Sequence, residues 1–125
     1  MNVNPLVMQA LQPMEDIGIP VRWLEYKGEK TEYIVFNDAL NAPSLYGDDC
    51  DEFDTVIVQV HHYTKADPHR MISEIRKQLR EAGFLILETF TTRDTVEGGK
   101  TGFIHTTIRA RITGLSEDFE NSEEE

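Results

Sequence analysis

Residues 55–63 read TVIVQVHHY, the most strongly β-branched run in the chain. Successive side chains of an extended strand point to opposite faces. Val56, Val58 and Val60 therefore share one face, and Ile57, Gln59 and His61 share the other. A strand with one wholly apolar face has to bury that face against another layer. The covering layer follows at once in the sequence. Asp67 is a good helix N-cap and Pro68 suits the first helical position. Ile72, Ile75, Leu79 and Ala82 then recur at helical spacing, with Met71 widening the stripe. Arg76, Lys77 and Arg80 sit where the helix dipole favours cations, and Gly83 supplies a left-handed stop.

Working outward, residues 84–92 read as a strand, residues 93–102 as a turn around Gly98-Gly99, and residues 103–113 as the last strand. In that strand Ile104, Thr106, Ile108, Ala110 and Ile112 form an apolar face. Phe103, His105, Thr107, Arg109 and Arg111 form a polar, basic one. Upstream, residues 21–26 and 32–36 flank Lys27-Gly28-Glu29-Lys30 and predict a hairpin. Residues 37–54 hold Asn, Asp, Pro, Gly and Ser, including Asp48 and Asp49, and predict a long loop. A first helix starts at Asn4-Pro5 and is cut or kinked by Pro13. Ile17-Gly18-Ile19-Pro20 reads as its exit turn. The fold class is α+β: an antiparallel or mixed sheet of about five strands with helices packed on one face, in the order α-β-β-β-α-β-β.

A chain of 125 residues fits one domain, assigned to residues 1–114. The formal charge is −11, and residues 115–125 hold six carboxylates and no base, which leaves −5 on the domain. That tail is expected to be solvated and disordered. The net field disfavours binding to duplex nucleic acid. Aromatic residues do not interleave with basic ones along the central strands, so an RNA-binding sheet is not expected either. No apolar run approaches the roughly 20 residues of a membrane helix, and Met1–Asn4 lack a basic leader region. Cys50 stands alone, so no intrachain disulfide is possible.

Catalytic and metal constellations are weak. His61 and His62 point to opposite faces of one strand and cannot share a metal. Only a convergence of one of them with His69 and Asp67 would make a site, at an unusual spacing. Asp48-Asp49-Cys50-Asp51-Glu52 lacks the calcium-loop spacing, and Cys50 among acids is a blunted nucleophile. Gly98-Gly99-Lys100-Thr101 lacks the upstream glycine of a phosphate loop. No enzyme, cofactor or metal is expected. Arg109, Arg111 and His105 on the last strand, set against Asp48 and Asp49 in the loop, are the candidate oligomer interface. Opposite charges on separate patches suit head-to-tail contacts that close into a ring. Arg109→Glu with Arg111→Glu is accordingly expected to spare folding and abolish such a ring.

Several short motifs stand in a telling order. These are Glu32-Tyr33-Ile34-Val35-Phe36-Asn37, Tyr46-Gly47-Asp48-Asp49, Val58-Gln59-Val60 with His62-Tyr63-Thr64-Lys65, Glu81-Ala82-Gly83-Phe84, and Gly102-Phe103-Ile104-His105 before Thr107-Ile108-Arg109. The order resembles that of the small tail-completion, or tail-terminator, proteins of long-tailed bacteriophages and prophages, some described as minor tail or head–tail joining proteins. The likeness runs from about Val21 to Ile112. It implies a ring, typically a hexamer, that caps the tail tube and provides the surface that docks to the head. Its partners would be further copies of the chain, the tail-tube protein and the head-completion or connector protein, with DNA passing through the ring. Its place would be the virion tail, after assembly in the host cytoplasm. The chain departs from the pattern in its acidic tail beyond Gly114 and in Gly47, where alanine is frequent. Without the resemblance, a small bacterial binding or regulatory domain with a protein or small-molecule partner fits the same residues.

Overall fold

A computed structural model describes residues 3–43, 53–95 and 101–115. Its elements are α1 (Asn4–Ala10), α2 (Gln12–Asp16), β1 (Val21–Trp23), β2 (Tyr33–Pro43), β3 (Phe53–Thr64), α3 (His69–Glu81), β4 (Leu85–Thr95) and β5 (Thr101–Leu115). They build an α+β domain around one five-stranded mixed sheet, in the order β1-β2-β3-β5-β4.

The central pair sets the core. β3 and β5 run antiparallel, with Val56 opposite Ile112, Val58 opposite Ala110 and Val60 opposite Ile108. The three valines, Ile108 and Ala110 are buried. They share one cluster with Ile34 and Phe36 of β2, Val7 of α1, Met14 of α2, Leu11 between those helices, and Ile75 and Leu79 of α3. The alternation in residues 55–63 and 103–113 thus becomes one continuous apolar layer.

The helix ends follow the sequence signals. Asp67 Oδ1 accepts the His69 N–H at 3.0 Å, and Pro68 already has helical angles one residue before α3. At the other end Gly83 has φ +100°, with Gly83 N–H to Arg80 O and Phe84 N–H to Leu79 O, both at 3.0 Å. This paired bonding with a left-handed glycine is the Schellman stop. α2 ends the same way at Gly18, φ +91°. Pro13 divides the first helical segment as expected, and the break falls at Leu11.

Two expectations need correction. Residues 21–36 do not form a hairpin, because β1 pairs parallel to β2, with Val21 beside Ile34 and Trp23 beside Phe36. The cause is local. Leu24 adopts φ +68°, its N–H bonds to Phe36 O at 2.9 Å, and the chain leaves the sheet there. The Lys30 ammonium then bonds Gly18 O at 2.9 Å, so the connection returns to the end of the sheet it started from.

The loop predicted over residues 37–54 is strand at both of its ends. β2 continues to Pro43 across a bulge between Asp38 and Leu40, and β3 begins at Phe53. Backbone pairing carries these residues in the sheet although their composition is that of a loop. Tyr46, Asp48, Asp49 and Cys50, the turn at Gly98-Gly99 and the acidic tail lie outside the described residues. No helix among the described residues is long and apolar enough to cross a membrane.

Candidate assembly surface

The sheet face turned away from the core collects the residues singled out on the last strand. His105, Thr107, Arg109 and Arg111 alternate along β5, opposite Tyr63, His61, Gln59 and Ile57 of β3. His61 and His62 do part, as neighbours on a strand must. His62 is buried on the core side and bonds Glu32 Oε2 at 2.8 Å, while His61 is half-buried on the outer side.

Four polar side chains on this outer face bind one another. His61 Nε2 donates to Asn37 Oδ1 at 3.1 Å, which leaves Nδ1 as an acceptor. His105 Nε2 lies 2.9 Å from that Nδ1, and Thr107 Oγ1 lies 3.2 Å from it. Burial pushes the His61 pKa down from the ordinary histidine value, and the charge of His105 pushes it the same way.

Aromatic rings continue the cluster. His105 stacks on Tyr63 at 4.3 Å between centroids, Tyr63 on Tyr33 at 4.8 Å, and Tyr33 on Tyr26 at 4.5 Å. Phe103 meets Tyr33 edge-on at 5.7 Å, and the Lys65 ammonium lies 5.1 Å from the Phe103 ring. These stacked rings form a ladder across the sheet. No single strand carries the rings. β2, β3 and β5 each contribute one or two, Tyr26 comes from the connection before β2, and the register Tyr33–Tyr63–His105 brings them together. A comparison of the aromatic ends of adjacent strands was the available signal. Most of the ladder's neighbours are imidazoles and tyrosines, with Lys65 the cation at its edge.

The two arginines differ. Arg109 Nη1 donates to Glu88 Oε1 of β4 at 2.8 Å. Arg111 is exposed, opposite Leu85 on β4 and Ile57 on β3. Arg109 is thus in part a ladder contact of its own sheet, whereas Arg111 projects from the surface. Asp48 and Asp49 cannot be set against them, since both lie outside the described residues.

The histidines and Asp67 considered for a metal site go to separate places. His69 Nδ1 pairs with Asp67 at the exposed start of α3, and the backbone bond from His69 holds the Asp67 carboxyl below its usual range. His62 is with Glu32, and His61 with His105. Among the described residues no three His, Cys, Asp or Glu side chains are grouped to hold a metal. The hollow between α1 and α3, lined by Leu6, Ala10, Pro13, Gln78 and Ala82, includes one carboxylate, Glu81. The chain matches no protein-family model and no curated protein sequence.

Proposed function

We propose that the chain is a structural protein of a long-tailed bacteriophage: it forms a ring, as a hexamer, that caps the tail tube and offers the docking surface for the head. The observation that carries this reading is that polar side chains of the outer face bond to one another across the strands. His61, His105, Asn37 and Thr107 bond to one another, and Arg109 bonds to Glu88. A catalytic set aims its polar groups at a space that a substrate occupies. Here the groups are turned sideways along the sheet, which suits a surface for contact with another protein. The order of motifs from Val21 to Ile112 supplies the rest of the reading: the tail-tube and connector partners, and the virion tail as the destination.

The acidity fits as well. DNA crossing a ring with a net charge of −11 per copy meets repulsion rather than adhesion and slides through. The test is direct. Tail tubes assembled from the tube protein are mixed with this chain and viewed by electron microscopy. A ring at one end and arrested growth are expected. Tubes that keep lengthening, with bare ends, would refute the proposal.

A further inference from the structure

Six large apolar side chains among the described residues are strongly exposed, each between 40% and 62%. Their distribution is uneven. Ile17, Trp23 and Leu24 lie in and around β1, while Leu85, Leu87 and Phe90 lie on β4. β1 and β4 are the two lateral edges of the sheet, with β2, β3 and β5 between them. Four strand spacings of about 4.8 Å put the two patches roughly 19 Å apart, on opposite sides of the molecule.

Both patches carry signs of being held outward. Leu24 is the one residue other than glycine with a positive φ among the described residues, +68°. A leucine in that conformation is strained, and such outliers mark positions that the surroundings enforce. On β4 the register shifts between Ile86 and Glu88, so Leu87 is the extra residue of a bulge. A bulge on an edge strand re-aims side chains and discourages indiscriminate strand pairing.

The edges also differ in charge. Residues 12–32, which hold α2, β1 and the connection to β2, carry five carboxylates against three cations. Residues 69–95, which hold α3 and β4, carry five cations against four carboxylates. Arg111 of β5 is exposed directly opposite Leu85, so a cation flanks the second patch on its own face. In a chain of net charge −11, a cationic β4 edge facing the acidic β1 edge makes a favourable contact between two copies.

We infer that the β4 edge of one copy docks on the β1 edge of the next, through Leu85, Leu87 and Phe90 on one side and Ile17, Trp23 and Leu24 on the other. The occupant of each patch is a second copy of this chain. A two-fold dimer through either edge would leave the other patch bare in both copies. A head-to-tail contact covers one of each per copy and repeats until the rotation closes. The inference rests on the ring reading for that closure, and on the two edges for the contact itself.

The experiment uses the full chain. Sedimentation velocity is measured up to about 1 mM, a range that captures weak contacts. The natural sequence is expected to associate with rising concentration. Trp23→Glu and Phe90→Glu, each alone, are expected to remain monomeric with unchanged circular dichroism. Mixed in equal amounts they are expected to give one heterodimer and nothing larger, since the mixture retains one intact edge of each kind. Leu24→Gly, which suits a positive φ, and Phe90→Thr, a good strand former, serve as variants that keep the fold and should lose association likewise. A monomeric natural sequence at the highest concentration overturns the inference. So does a single variant that assembles normally or forms its own dimer, and so does a mixture that stays monomeric. The same variants added to tail tubes separate the two readings: edge variants that still cap tubes refute the edge contact alone, whereas edge association without capping refutes the tail reading alone.

Discussion

His61 Nδ1 and His105 Nε2 lie 2.9 Å apart across the boundary between β3 and β5. With the Nε2 proton of His61 directed to Asn37, a neutral His61 offers Nδ1 as an acceptor to His105. Burial and the charge of His105 both disfavour a proton on His61. On the other face His62 is held below the ordinary histidine value by burial, against the pull of Glu32. Both groups therefore bind protons more readily in the unfolded chain than in the folded one. Their contribution is complete above the unfolded value of about 6.5 and is lost as pH falls through the folded values. Thermal melts are expected to be highest above that point and to decline toward pH 5. Each kcal/mol lost lowers Tm by roughly 3–5 °C for a domain of this length. His61→Gln with His62→Leu should flatten that decline; a decline of unchanged slope in the double variant would clear the histidines of responsibility.

Glu88 and Arg109 form a cross-strand pair that is partly open to solvent. Such pairs contribute about 0–1 kcal/mol. Arg111→Glu alters an exposed residue and is expected to change stability by no more than about 0.5 kcal/mol. Arg109→Glu places two carboxylates opposite each other and should cost about 1 kcal/mol. Adding Glu88→Arg should restore most of that loss. Urea denaturation of the four proteins measures it, and equal effects at the two arginines would contradict the pairing.

Tyr33 and Tyr63 stack at 4.8 Å with planes 19° apart. A double-mutant cycle with leucine at each position is expected to show coupling of about 0.5–1.5 kcal/mol beyond the burial terms. Additive losses would mean that the rings are merely neighbours.

At Gly83 an added Cβ would find ordinary room, 3.7 Å from Ile112 Cδ1. The cost of Gly83→Ala is thus conformational, set by φ +100°, and is expected to be about 1–2 kcal/mol. Thermal unfolding of the single variant checks it.

Much of this architecture is legible in the residues themselves. The valines at 56, 58 and 60 and the span from Asp67 to Gly83 announce a strand and its covering helix, because burial imposes periodicity. Direction of pairing leaves no such trace. Lys27-Gly28 looks like the turn of a hairpin, and the left-handed Leu24 that makes β1 parallel is a conformation leucine normally avoids. Asn37, Asp38 and Asn41 read as loop because their composition is polar, and the ladder that holds them is made of backbone. On the outer face, alternation alone puts His105, Arg109 and Arg111 together. It misplaces Glu88, which counting from Ile86 would send to the core side; the bulge at Leu87 turns it to Arg109.

The strand order has a consequence for how the molecule opens. β3 and β5 each have a hydrogen-bonded strand on both sides, whereas β1 is three residues long and β4 has one free edge. Local fluctuations can release the edges at little cost in free energy, but the central amides come free only when the whole domain unfolds. In deuterated water the sheet should exchange from its flanks inward, with the amides around Val58 and Ala110 the last to lose their protons.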